Sequence, residues 1–292
     1  MAITPFEQAN FNLVSFSEAY NDIFDSTAKD VSIQLKDSNG NIYTKTVANR
    51  GKFKQQLWDD VGGALGQFNI TFYVDATNGD DNNDGSSANP FKTIKKACDS
   101  VPVGGNATIN LAQNQTYLID SDINVTNKRI YIIAINATIK NVAYLYNDNT
   151  ATRGFILRKS EITFLGGTIK TANKISDNNP VHPYSGIIKR NEFASGYVKT
   201  ISSDIEIGDT DFIRKDWAPT QIDLDISGGT INKTGEGYLI RNENGTFRIG
   251  ANESVTLGKD ADGSSLTWGK LIIGIIKDSN GVPRNVISNI VF

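Results

Sequence analysis

A five-residue phrase recurs along this chain at intervals near thirty residues. It reads Asn-Ala-Thr-Ile-Asn from Asn106, Asn-Ala-Thr-Ile-Lys from Asn136, Gly-Gly-Thr-Ile-Lys from Gly166 and Gly-Gly-Thr-Ile-Asn from Gly228. The first three copies start thirty residues apart. The last interval is about twice that, with Ser-Gly-Tyr-Val-Lys from Ser195 as a degenerate copy between. A longer phrase also returns: the stretch from Gly154 lies without a gap over the stretch from Gly237, placing Arg158 on Arg241. Such a period restricts the fold, because one short repeat cannot bury its apolar face alone and must stack on its neighbours. The segments around the turns alternate as strands do. In Gln221–Ile226, the residues Ile222, Leu224 and Ile226 point one way, and Asp223 and Asp225 the other. Ile162 and Phe164 are read as inward in the same manner. Tandem coils whose strands stack in parallel make a β-helix, and Asn and Gly suit its turns. No segment between 106 and 257 keeps an apolar helical face.

Composition agrees with a strand-and-turn protein. Among 292 residues there are 26 Gly but only 7 Pro and 1 Met. The net charge of −3 gives no footing for nucleic-acid binding or membrane insertion. Cys98 is the sole cysteine and His182 the sole histidine, which excludes an intrachain disulfide and a Cys/His zinc site. The N-terminal residues lack the basic and apolar regions of a secretory signal, so export by the usual route is not expected. The apolar run Leu271–Ile276 is far too short to span a bilayer.

Ahead of the repeats, Phe72–Val74 reads as a strand and residues 77–89 as a loop. A helix is expected near 90–101, with Pro90 in its first turn and Phe91, Ile94, Ala97 and Val101 on one face. It would cap the open end of the stack. Asp80, Asn82 and Asp84, followed by Gly85, match the first half of a Ca²⁺ loop, but Phe91 stands where a bidentate Glu belongs. A polar turn is the preferred reading there. Residues 1–68 are read as a small α+β module, with short helices over 15–25 and 52–61. Between them a hairpin over 31–47 turns at Asn39-Gly40. Residues 69–258 form the β-helix. Lys-Asp-Ser-Asn-Gly at 36–40 recurs at 277–281, so 259–292 is read as a C-terminal hairpin or terminal cap.

The passage Tyr73-Val74-Asp75, Gly79-Asp80, Asp84-Gly85 and Pro90-Phe91-Lys-Thr-Ile-Lys-Lys-Ala97 resembles the opening of right-handed parallel β-helix proteins of the pectate-lyase-like superfamily. The resemblance covers roughly 72–258. It implies a mainly β, right-handed solenoid, and it leaves activity open. That superfamily includes lyases, hydrolases and epimerases, and also non-catalytic phage tail fibres and tailspikes, which are usually homotrimers. The repeats contain neither the Gly-His-Gly nor the Arg-x-Lys of the polygalacturonase-like enzymes; His182 lies in Val-His-Pro.

The resemblance therefore favours a virion adhesin: a tail fibre or tailspike bound to a host surface polysaccharide. It would be a homotrimer in the virion tail, docked to other tail or baseplate proteins through residues 1–68. Two other readings stand beside it. One is a polysaccharide-degrading enzyme using Asp204, Glu206, Asp223 and Asp225 as acid and base or nucleophile. The other is a purely architectural protein, of the virion or of a cell surface reached by a non-classical route. No cofactor beyond the Ca²⁺ candidate is implied. The expected glycan contacts are His182, Tyr184 and Trp217, rings that can cover a sugar's apolar face, with Arg190 and Arg214 nearby. Arg158, Arg190, Arg214 and Arg241, and Arg129 as a first member, are expected to form a ladder up one wall. Glu161, Glu192, Asp216 and Glu243 follow them, so solvated ion pairs or a subunit contact are preferred over a basic stripe for an acidic glycan.

Overall fold

The computed structural model describes residues 31–36, 42–47, 69–189, 195–215, 222–243 and 245–290. The chain divides into two compact units, Met1–Gly66 and Gln67–Phe292. In the first, strands Val31–Lys36 and Ile42–Val47 pair antiparallel, with Val31 opposite Val47 and Lys36 opposite Ile42. The helices expected over 15–25 and 52–61, and the Asn39-Gly40 turn, lie outside the described residues.

The second unit is mainly β, built from long parallel sheets. The chain visits three sheets in rotation. The first has eight strands, from Asn69–Val74 to Val286–Ser288. The second runs in six from Thr116–Ile119 to Val255–Leu257, and the third in six from Ile123–Thr126 to Ile272–Ile273. Within each, every strand pairs in parallel with the one a circuit earlier. This arrangement is compatible with a parallel β-helix.

The alternation in the sequence now has a location. Ile109, Ile132, Phe164, Thr200 and Ile226 stack through the first sheet. Ile139, Ile169, Ile205 and Ile231 stack through the second, and Phe155, Ile188, Ile213 and Ile240 through the third. All are buried, as are Ile162 and Leu224. Each such side chain removed from water stabilises by about 1.5–3 kcal/mol before entropy is counted. The corner between the first and second sheets needs a left-handed residue in five successive circuits: Asn114, Asn136, Gly166, Ser202 and Gly228 all have positive φ. At Gly167 the demand is absolute, since an added Cβ would lie 2.1 Å from the Ala134 carbonyl oxygen of the previous circuit.

Several expectations shift. The five-residue phrase does not mark one wall. Its copies at 106 and 195 belong to the first sheet, while those at 136, 166 and 228 enter the second. The missing second-sheet copy is Asp204–Ile207, where Ile205 pairs with Ile169 and Ile231. Strand alternation is shared by all walls, so the phrase alone does not separate them. The gapless overlay of Gly154 on Gly237 is also out of register, by two residues in the third sheet, where Phe155 stacks through Ile188 and Ile213 onto Ile240, and by four in the first, where Ile162 stacks through Val198 and Leu224 onto Ile249. An even slip keeps every side chain on its own face, so the overlay preserves the alternation.

The capping helix spans Ile94–Ser100 and starts later than expected. Thr93 is its N-cap, its hydroxyl accepting from Lys96 N. Pro90 and Phe91 precede it, and Phe91 bridges to Val74 in strand fashion. Both carboxylate oxygens of Asp81 hold this entry, accepting from Lys92 N, Thr93 N and Thr93 Oγ1. Parallel pairing also continues past residue 258, through Ile272–Ile273 and Val286–Ser288. The repeated Lys-Asp-Ser-Asn-Gly makes a tight turn there, with Lys277 bridging Pro283 antiparallel and Asp278 Oδ1 accepting from Asn280 N and Val282 N. Among the described residues, no helix is long and apolar enough to cross a membrane.

Candidate functional site

Two insertions leave the stack at the same corner, between the second and third sheets, in successive circuits. One is the hairpin of strands Ala143–Tyr146 and Asn149–Thr152. The other is the irregular segment 171–187. Thr150 joins them: its N donates to Pro180 O, its carbonyl accepts from His182 N and Ser185 Oγ, and its hydroxyl accepts from Ile175 N. Asn179 Nδ2 donates to Asp148 O across the same seam. The insertions are thus fixed to each other as well as to the stack.

The joined insertions carry a row of rings. Tyr146 meets His182 edge-on, with centroids 4.9 Å apart, and His182 lies 5.0 Å from Tyr184. Tyr144 sits two residues before Tyr146 on the same strand face, with the Arg153 guanidinium 3.9 Å from its ring centroid. Tyr146 is 44% and Tyr184 52% exposed, large values for rings in an ordered, bonded segment. Burial, then the charges of Arg214 and Lys189, hold His182 below its ordinary pKa of 6.5. Both effects favour the uncharged imidazole.

Behind the row runs a column of cations on the third sheet. Arg214 pairs in register with Arg241, and Lys189 occupies the same position one strand earlier. This corrects the expected ladder. Arg129 belongs to the first sheet, opposite Glu161, at 3.7 Å. Arg158 stands opposite Thr126, two positions along from the Lys189–Arg214 row. Nor is the column solvated, for Lys189 and Arg214 are buried. Like charges one strand apart repel, and carboxylates intervene. Asp122 accepts from Lys189 Nζ at 3.0 Å and lies 3.7 Å from Arg153. Asp211, fully buried, accepts from Arg241 Nε at 2.9 Å and Arg214 Nη1 at 3.3 Å. Glu243 lies 3.5 Å from Arg214. Burial pushes the Asp211 carboxyl above 3.8 while the two arginines pull it back. Burial likewise pulls Lys189 below 10.5 against Asp122.

Of the expected contacts, His182 and Tyr184 come together, and Arg214 lies close enough to act on His182 but is buried in the column. Trp217 and Arg190 lie outside the described residues. Tyr144, Tyr146, Asp122, Lys189 and Asp211 escaped the sequence reading. Tyr146 belongs to a hairpin that the repeat pattern treats as an interruption, and its Tyr-Leu-Tyr alternation was the available signal.

The four candidate catalytic carboxylates divide between two sheets, Asp204 and Glu206 on the second and Asp223 and Asp225 on the first. Each has a partner. Glu206 pairs with Lys170 at 2.7 Å, Asp204 accepts from Thr230 N, and Arg248 bridges Asp223 and Asp225 at 3.7 and 3.1 Å. Tyr197 also donates to Asp225. Asp80 and Asp84 accept from Asn82 N and Ser86 N, the bonds of polar turns. Among the described residues, no group of three or more His, Cys, Asp and Glu side chains is placed to hold a metal ion.

A separate cleft of about 510 Å³ opens on the first sheet beside Lys128, Arg129, Glu161 and Tyr197. Its polar groups are largely engaged with one another or with the fold: Lys128 Nζ donates to Cys98 O, Arg129 faces Glu161, and Tyr197 holds Asp225.

No family model matches this chain, and comparison with curated proteins and with solved structures returns no significant match.

Proposed function

We propose that this chain is a right-handed parallel β-helix of the pectate-lyase-like kind and works as a glycan-binding adhesin of the phage tail-fibre type. In this reading it binds a surface polysaccharide and does not cleave it. The observation that carries the proposal is the ring row in which Tyr146 and Tyr184 are exposed and Tyr144 and His182 half-buried, held on two mutually bonded insertions. Ring faces cover the apolar face of a pyranose, and a rigid support limits the entropy lost on binding. The strand rotation through three parallel sheets supports the fold. Against hydrolysis, the acid pairs sit on separate sheets in ion pairs or backbone bonds, whereas glycoside hydrolysis needs two carboxyl groups facing one bond.

The proposal includes a homotrimer in the virion tail, docked through residues 1–68. A glycan array tests the binding, with wild type beside Tyr184→Ala. The wild type should bind a defined set of glycans, release no new reducing ends from them, and scatter light as about three times the 31.8 kDa chain. The variant should keep its fold and bind the same set more weakly. Release of reducing ends would replace the adhesin with an enzyme. A folded protein that binds no glycan would leave the architectural reading.

A further inference from the structure

We infer that the ring row takes an uncharged stretch of glycan, and that acidic polysaccharide is not its ligand class. This rests on the proposed glycan binding and narrows it. The inference comes from the charges around the rings. The cations that bear on the rings are Arg153, against Tyr144, and Lys189 and Arg214, whose charges act on His182, with Arg241 next in the column. Asp122 holds the first two, and Asp211 and Glu243 hold the others. Two of the four, Lys189 and Arg214, are buried as well. A glycan carboxylate would have to compete with Asp122 for the half-exposed Arg153 and with Asp211 for Arg241, and to reach Lys189 or Arg214 it would have to break a buried pair and leave a carboxylate of the protein uncompensated.

The rim carries the opposite sign. Asp148 lies in the hairpin turn directly after Tyr146 and Asn147, and Asp177 lies in the segment that carries His182. The cation of that segment, Lys174, bonds Glu236. Around the rings the described residues thus present four cations against Asp122, Asp211, Glu243, Asp148 and Asp177. Each of these cations already has a carboxylate partner within the protein, and an uncharged sugar needs none of them. The His182 ring fits the same conclusion, since it packs edge-on to Tyr146 and tilted against Tyr184 in surroundings that favour its uncharged form. The hydrogen-bonding groups at hand for hydroxyls are the Tyr146 and Tyr184 phenols and the side chain of Asn147.

The test is titration of the full-length protein with two probe sets at low and high salt. One set holds uncharged oligosaccharides of hexoses and of N-acetylhexosamines; the other holds oligogalacturonate and sialylated oligosaccharides. Binding should be found in the uncharged set, with affinity unchanged by salt. Tyr146→Ala and Tyr184→Ala should each weaken it roughly two- to tenfold. Asp148→Asn should leave it unchanged, and Arg190→Ala should leave it salt-independent. Binding confined to the acidic set, falling with salt or lost in Arg190→Ala, would overturn the inference while the adhesin reading stands. No binding in either set, with Tyr184→Ala lowering the assembly mass, would make the row a contact between copies of the chain and remove both readings. Should Tyr146→Ala loosen the hairpin, Tyr184→Ala decides alone, because that exposed ring takes no part in strand pairing.

Discussion

Asp211 is the residue on which the third sheet's outer face turns. It is fully buried, and it reaches two arginines that would otherwise stand one strand apart with like charge. Removing one partner of such a buried group leaves the others uncompensated, at a cost of roughly 3–5 kcal/mol. Asp211→Asn should therefore lower the unfolding free energy by about that amount in denaturant titration. Asp204→Asn, at an exposed position on the second sheet, should change it by no more than about 0.5 kcal/mol. Equal effects would mean that the arginine column is not held as described. The sequence carried only part of this arrangement. Arg214 and Arg241 stood out because each follows a short apolar run. Asp211 did not, because a single Asp before Phe-Ile-Arg looks like any polar turn residue. Its role depends on which circuit stacks on which, and that is set by insertion lengths that the thirty-residue period averages away.

At the scale of elements, the loop that follows the first strand of the stack shows how turns are fixed here. Asp75 accepts from Asn78 N, Thr77 N, Asn78 Nδ2 and Gln115 Nε2, and so ties the loop to the next circuit. These bonds, the one from the Asn78 backbone foremost, hold its carboxyl below the ordinary 3.8 despite some opposing burial. A carboxyl whose folded pKa lies below its unfolded value adds stability that is present above the unfolded value. That stability is lost as pH falls through the folded one. The melting temperature of Asp75→Asn should consequently fall less steeply than that of wild type between about pH 5 and about pH 2. Parallel curves would deny Asp75 this part in the acid response. The strand alternation, the hairpin at 31–47 and a helix ahead of the repeats were legible, since each depends on local periodicity. The start of that helix was not. Phe91 fits a helical face by spacing, but its backbone is bonded to Tyr73 and Asp75, a contact with a distant strand that no local pattern contains. The ring row shares this limit, as Tyr146 and His182 meet only because two insertions of different length leave adjacent circuits.

For the whole molecule, the core gives the sharpest expectation. Among the described residues, the contiguous apolar cluster runs from Ile70 to Ile290. The end of the stack that begins with Asn69–Val74 carries its own apolar cover in Phe91, Ile94, Ala97, Cys98 and Val101, all buried in that same cluster. A stack covered from within the same unit needs no apolar surface from residues 1–66 to fold. A chain of residues 67–292 should accordingly melt in one cooperative step with a far-ultraviolet spectrum dominated by β structure. Within experimental error it should bind the same glycans as the full protein, because the ring row and its cation column lie wholly inside the second unit. Under the adhesin proposal it should also fail to join tail or baseplate proteins, whose docking is assigned to the first unit. Loss of the cooperative melt in the shortened chain would mean that the stack depends on the first unit. A shortened chain that folds but has lost its glycans would move the binding site out of the second unit altogether.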